Sequence, residues 1–347
     1  MIARIFFAIL ACVAFVPTAS SPRAAAADNQ SQTTTFTEYT PLSNNLEMAR
    51  RLISPLTAAR FPERLAAMGK ALADQPIDLK DERFRIYVPR TAPAAGYGVL
   101  VFIPPWDDDH IPAGWPEVLD SRGVIFVSGG KTGNDASPLG RREPLALLAA
   151  YNVIRRYKVD PRRVYVSGFS GGSRVASRLV VGYPDLFTGA FLDAGADPLG
   201  QPGFPLPPRD LFAWFRTESR IAYLTGAQDE FHLQQQDASI TSLRRWCVVN
   251  FTARSKMDLA HDIAPPSALA TALSDLDAPR RPPSSKEADC WARLTAAVDD
   301  ELSRAEAALA RLDFKTAKSI LDDVDKRFGG LSAPRVIELA RKLSEGA

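Results

Sequence analysis

The stretch Val164-Tyr-Val-Ser-Gly-Phe-Ser170-Gly-Gly-Ser-Arg-Val-Ala-Ser-Arg-Leu-Val180 decides how this chain folds. Arg163 to Ser167 is short, β-branched and aromatic, which suits a strand. Val175, Ala176, Leu179 and Val180 then recur at helical spacing, with Arg174 and Arg178 on another face. Between the two stands G-x-S-x-G, Gly168 to Gly172. A strand, a sharp turn and a helix in that order lift a serine Oγ above the edge of a sheet. Glycine is needed at both ends of the motif because side chains there would clash with strand and helix. The Gly171 N–H falls at a helix start, where partial positive charge collects and an oxyanion is stabilised. Ser170 is therefore a candidate nucleophile and Gly171 a candidate oxyanion donor. An ordinary Gly-rich, phosphate-binding turn is the alternative reading.

Outward from this turn, strand and helix patterns alternate. Phe84, Ile86 and Val88 alternate with Arg83, Arg85 and Tyr87, as in a half-exposed strand. Val99 to Ile103 and Val124 to Val127 are continuous apolar runs, which suit strands buried on both faces. A helix is expected over about 143–157. Ala190 to Leu192, Ile221 to Leu224 and Val248 to Phe251 read as further strands. The alternation predicts an α/β fold with a doubly wound, mostly parallel sheet, over residues 45–277. Residues 45–73 read as a helical lead-in to it.

A Pro-rich linker is expected over 278–286. Beyond it Trp291, Leu294, Val298, Leu302, Ala305, Leu309 and Leu312 step by three and four. Further helices are expected over 315–327 and 334–344, with Gly329-Gly330 between them. Residues 287–347 thus read as a C-terminal helical appendage, either packed on the main domain or binding a partner.

The N-terminus differs in kind. Arg4 is followed by an unbroken apolar run from Ile5 to Val16, then Pro17-Thr-Ala-Ser. This reads as a secretory signal peptide over residues 1–27, too short to span a bilayer stably. An exported, periplasmic or extracellular protein is expected, with residues 28–44 polar and disordered. The chain holds 42 Lys+Arg and 40 Asp+Glu, and the leader removes Arg4 and Arg23. No basic stripe remains to attract nucleic acid.

Cys12 leaves with the leader, so Cys247 and Cys290 remain. Two cysteines in an exported protein suggest one disulfide, with two buried free thiols as the alternative. Neither their number nor their spacing supports a zinc site. Asp107-Asp108-Asp109 lacks the spacing of a calcium loop. No metal and no cofactor are expected.

A nucleophilic serine needs a base, and the base needs an orienting acid. On such a sheet the chain order is serine, acid, histidine. The three histidines are His110, His232 and His261. His110 precedes the serine. His232 lies three residues from the best acid, with no room for an intervening strand. His261 follows the last predicted strand and is the expected base. Asp229 follows the strand Ile221 to Gly226 and is the expected acid, with Glu230 as the fallback; helix capping is the other use of Asp229. The second oxyanion donor is expected in the loop after Ile103. Pro104 and Pro105 have no N–H, which leaves Trp106 or Asp107.

With these residues in hand, the chain resembles the α/β-hydrolase superfamily. It is most similar to secreted bacterial esterases related to poly(3-hydroxybutyrate) depolymerases and feruloyl esterases. The resemblance covers roughly residues 80–277. It is carried by Val159-Asp-Pro-Arg-Arg-Val-Tyr-Val-Ser-Gly-Phe-Ser170-Gly-Gly, Tyr183-Pro-Asp-Leu-Phe187, Leu224-Thr-Gly-Ala-Gln-Asp229 and His261-Asp-Ile. It implies Ser170 as nucleophile, Asp229 as acid and His261 as base. One departure stands out: members often carry His-Gly after the first long core strand, where this chain has Pro104-Pro105. The expected activity is hydrolysis of a small-molecule or polymeric ester through an acyl-enzyme. Acyl transfer on the same residues, or a hydrolase-like fold used only for binding, are the alternatives.

Overall fold

The structure, a computed structural model, describes residues 31–69, 71–280 and 282–346. Among them eight strands build one sheet: β1 (Gln32–Thr34), β2 (Phe84–Tyr87), β3 (Tyr97–Ile103), β4 (Val124–Gly129), β5 (Val159–Phe169), β6 (Gly189–Asp193), β7 (Arg220–Gly226) and β8 (Phe251–Lys256). Their order across the sheet is β1-β2-β4-β3-β5-β6-β7-β8. β2 runs antiparallel to both neighbours, and every pairing from β4 to β8 is parallel. This is the doubly wound, mostly parallel sheet that the sequence predicts.

Twelve α-helices among the described residues accompany it. The first six are α1 (Asn45–Leu52), α2 (Pro55–Ala59), α3 (Phe61–Ala67), α4 (Trp115–Arg122), α5 (Glu143–Arg156) and α6 (Gly171–Gly182). The others are α7 (Arg209–Glu218), α8 (Glu230–Arg245), α9 (Pro266–Asp277), α10 (Ser285–Ala310), α11 (Phe314–Phe328) and α12 (Arg335–Gly346).

The strand sequences show why both faces of the sheet are covered. Successive side chains point to opposite faces. In β3, Val99, Val101 and Ile103 enter one core while Leu100 and Phe102 enter the other. β4 divides Ile125 and Val127 from Val124 and Phe126 in the same way. An unbroken apolar run is what such a strand requires, because neither side meets water. Trp115 and Leu119 of α4 and Leu269 and Leu273 of α9 close the second core. Leu148 of α5, Leu179 of α6, Phe215 of α7 and Leu243 of α8 close the first.

The C-terminal helices belong to that first core. Val298 and Leu302 of α10, Leu321 and Val324 of α11, and Val336 and Leu339 of α12 are buried in it. Burying each such side chain stabilises by roughly 1.5–3 kcal/mol. Polar ties add direction. Asp325 accepts hydrogen bonds from Leu56 N (2.8 Å) and Ser54 Oγ (2.7 Å), and Arg209 pairs with Asp299 at 2.6 Å. Cys247 and Cys290 form a disulfide with Cα atoms 5.9 Å apart. The tail is therefore continuous with the main body.

Three expectations need correction. Of the segment read as disordered, residues 31–44 are structured: β1 pairs with β2, and Phe36 is buried against Phe84, with ring centroids 4.7 Å apart. Backbone pairing and one aromatic anchor outweigh polar composition here. The helical lead-in expected over 45–73 ends at Ala67 and comprises α1, α2 and α3, with Pro55 and Pro62 near the starts of the latter two, where a residue lacking an N–H is tolerated. The last strand lies later than Val248–Phe251. Trp246 and Val248 are buried core residues after α8, and β8 is a largely polar edge strand. The expected leader, residues 1–27, lies outside the described residues. Among those described, no helix is long and apolar enough to cross a membrane.

Candidate active site

The carboxyl ends of β5, β7 and β8 bring the expected residues together, at the end of a parallel sheet where ligands bind. Ser170 follows β5 directly and caps α6, with φ +53° and ψ −121°. A positive φ is strained for a residue with a Cβ and persists where the surroundings enforce it. The enforcement is visible. A Cβ on Gly172 would stand 1.8 Å from the Ile103 carbonyl oxygen, and one on Gly168 would stand 2.3 Å from the Gly172 carbonyl carbon. The Ser170 N–H donates to the Asp193 carbonyl at 2.8 Å. Strand, turn and helix are locked with Oγ at the edge of a cleft of about 940 Å³.

His261 arrives on the loop between β8 and α9. Its Nε2 lies 3.0 Å from Ser170 Oγ, and its Nδ1 lies 2.6 Å from Asp229 Oδ2. The loop is held on both sides of the histidine. Leu259 O accepts from Gln228 N at 3.1 Å, and Ala264 N donates to Asp193 Oδ2 at 2.7 Å. Trp115 Nε1 donates to Ala264 O at 2.9 Å.

Asp229 sits at the N-cap of α8 and is buried. Its Oδ1 accepts from the His232 N–H at 3.3 Å, so it caps the helix and also faces His261. Burial pushes its carboxyl up. The hydrogen bonds from His232 and His261 more than offset this and hold it below the usual carboxylate range. Glu230, the fallback acid, is exposed on the first turn of α8.

His232 joins the site, which the sequence reading did not anticipate. Its Nδ1 lies 2.9 Å from Asp229 Oδ1, and its ring stacks on that of His261. Phe169 packs on His261 as well, with centroids 4.9 Å apart. Asp229, His232 and His261 are the one group among the described residues whose ligand atoms lie close enough to hold a metal ion, all within 4.8 Å. A metal there would displace the hydrogen bond that orients His261.

Trp106, the expected second oxyanion residue, does not line the cleft. Its indole stacks on His110 and packs near Phe169. The polar group standing against Gly171 is the Asn134 carboxamide: a Cβ on Gly171 would lie 2.1 Å from Asn134 Oδ1. Asn134 is fixed by its own N–H, which donates to Pro105 O at 3.0 Å, and by Arg142 Nη1, which donates to its Oδ1 at 3.5 Å. With Oδ1 engaged, Nδ2 is the side that remains to donate. Its only sequence signal is a Gly-rich loop after β4.

No family model and no curated protein matches this chain. Among solved structures it is similar to Porphyromonas gingivalis dipeptidyl peptidase 4, at 16% identity and TM-score 0.41, over 56% of this chain and 33% of that one. It is similar to Staphylococcus aureus fluorophosphonate-binding serine hydrolase F, at 13% identity and TM-score 0.45, over 57% of this chain and 93% of that one. A ferulic acid esterase shares 17% identity at TM-score 0.39, over 55% of this chain and 88% of that one. The order of the sheet and the strand–serine–helix turn make this an α/β-hydrolase fold, with a helical tail built into one of its two cores.

Proposed function

We propose that this protein is an exported serine esterase that works through an acyl-enzyme. The observation that carries the reading is the hydrogen-bonded line from Ser170 Oγ through His261 to Asp229, ending at an open cleft. Ser170 Oγ bonds to the ester carbonyl carbon as its proton passes to His261 Nε2. Asp229 holds the ring with Nδ1–H toward itself and stabilises the imidazolium. The tetrahedral oxyanion is bound by the Gly171 N–H and the Asn134 amide. Collapse expels the alcohol, which takes the proton from His261. Water then repeats the sequence on the acyl-serine and releases the acid. The leader-like N-terminus and the Cys247–Cys290 disulfide support export.

The test is labelling by a fluorophosphonate probe together with turnover of a p-nitrophenyl ester panel of rising acyl length. Wild type is expected to be labelled and active. Ser170→Ala is expected to fold, escape labelling and lose turnover. Turnover that survives in Ser170→Ala removes the serine mechanism. A product shifted from acid to a new ester when a competing alcohol is added marks acyl transfer instead.

A further inference from the structure

Three guanidiniums line the cleft in front of Ser170: Arg142, Arg174 and Arg178. Two of them are neutralised. Arg174 pairs with Asp197 at 2.8 Å, and Arg178 pairs with Glu143 at 2.5 Å. Arg142 is different. It is 4% exposed, and the carboxylate whose charge acts on it is the neighbouring buried Glu143, which Arg178 already engages. Its Nη2 donates to Pro104 O at 3.0 Å and its Nη1 to Asn134 Oδ1 at 3.5 Å, while its Nε is buried with no acceptor. Asp197 is the one carboxylate among the lining residues, and Arg174 already engages it.

A guanidinium stays charged in a protein interior. One buried carboxylate shared by two guanidiniums leaves a net positive charge, and burying it is unfavourable unless a partner of opposite sign arrives. Two of its five N–H donors are in use here, and the others remain to be satisfied. The rest of the cleft wall includes Leu139, Val175, Phe204 and Phe231, so a ligand there meets an apolar surface on its way to the charge.

We propose that Arg142 receives a carboxylate carried by the substrate, so that the preferred esters have an apolar body and a free acid end. The inference rests on the serine-esterase reading above and names its substrate class. The one net positive charge left by Arg142, Arg178 and Glu143 matches the single negative charge of a carboxylate better than the near-double charge of a phosphate monoester.

The test compares two esters built on the same diacid chain on the wild-type protein: mono-(4-nitrophenyl) glutarate, an anion, and its neutral methyl ester. The anion is expected to be favoured at least about ten-fold in kcat/KM, and Arg142→Met to abolish that preference while Arg142→Lys keeps part of it. Should Arg142→Met fail to fold, inhibition of the wild type supplies a second readout: hexanoate is expected to inhibit turnover of the neutral ester about ten-fold more strongly than hexanamide. Equal rates on the two glutarates, with equal inhibition by acid and amide, overturn the carboxylate site and leave the esterase standing. A protein that hydrolyses neither ester and takes no fluorophosphonate label overturns both.

Discussion

His232 lies flat against His261: the ring centroids are 4.1 Å apart, the planes differ by 9°, and both rings turn Nδ1 toward the Asp229 carboxylate. Only His261 reaches Ser170 Oγ, at 3.0 Å. The two histidines are thus unequal. On the proposed mechanism His261 carries the proton, and His232 braces both the acid and the ring beside it. His261→Ala is expected to lower ester turnover by about 10⁶-fold. His232→Ala removes one hydrogen bond to a charged group, ~1.5 kcal/mol, and is expected to cost about ten-fold. Steady-state kinetics on one p-nitrophenyl ester separate them. If the two losses come out in the reverse order, the base is His232.

Asn134 offers a second measurement. Its carboxamide stands against Gly171, and Arg142 holds its Oδ1. An oxyanion donor acts where charge develops, so its loss falls on kcat and spares ground-state binding. Asn134→Ala is expected to lower kcat by about 10²-fold with little change in KM. An unchanged kcat returns the second donor to the backbone of Trp106.

The contrast between these residues shows what the sequence makes legible. Ser170, Asp229 and His261 each follow a strand, β5, β7 and β8, so chain order and turn chemistry single out three residues that the fold brings within hydrogen-bond reach. His232 is less legible because it lies so close to Asp229 in sequence. The first turn of α8 brings that third residue back over its cap, and closeness in sequence becomes closeness to the site. Asn134 and Arg142 come from the connection between β4 and α5, where Gly, Ser and Asp read as an ordinary loop. Only tertiary packing carries them to Gly171. The tail helices were legible one by one, since their apolar stripes show at helical spacing. That those stripes face the main core, and not merely one another, depends on partners far away in the chain, such as Ser54 and Leu56 for Asp325.

The Cys247–Cys290 bond bears on that tail. It fastens the start of α10 to the segment after α8, across 43 residues. Closing a loop of this length restricts the unfolded chain and stabilises by roughly 4 kcal/mol on the chain-entropy model. Cys247→Ser/Cys290→Ser is expected to lose roughly 2–4 kcal/mol in urea unfolding while keeping turnover at low temperature, because the bond lies outside the proposed Ser170–His261–Asp229 site. Titration of the unfolded wild-type protein is expected to find no free thiol. Two reactive thiols contradict the pairing.

Asp193 gives a prediction in pH. Its carboxyl is fully buried at the end of β6, Oδ2 accepts from Ala264 N at 2.7 Å, and Oδ1 has no partner. Burial pushes this carboxyl well above the usual carboxylate range, so the folded protein keeps a proton that the unfolded chain gives up. A raised folded value means that the group's contribution to stability is full below the ordinary carboxylate pKa and is lost as pH climbs toward the folded one. Asp193→Asn has no proton to lose, and its side-chain oxygen still accepts from Ala264 N. The variant is therefore expected to gain on the wild type by about 1.4 kcal/mol for each pH unit within that window. Its esterase activity should persist, since the loop bearing His261 stays anchored. Thermal melts of both proteins between pH 4 and pH 8 read the difference directly. A gap in Tm that stays constant across that range means Asp193 is already ionised in the folded state.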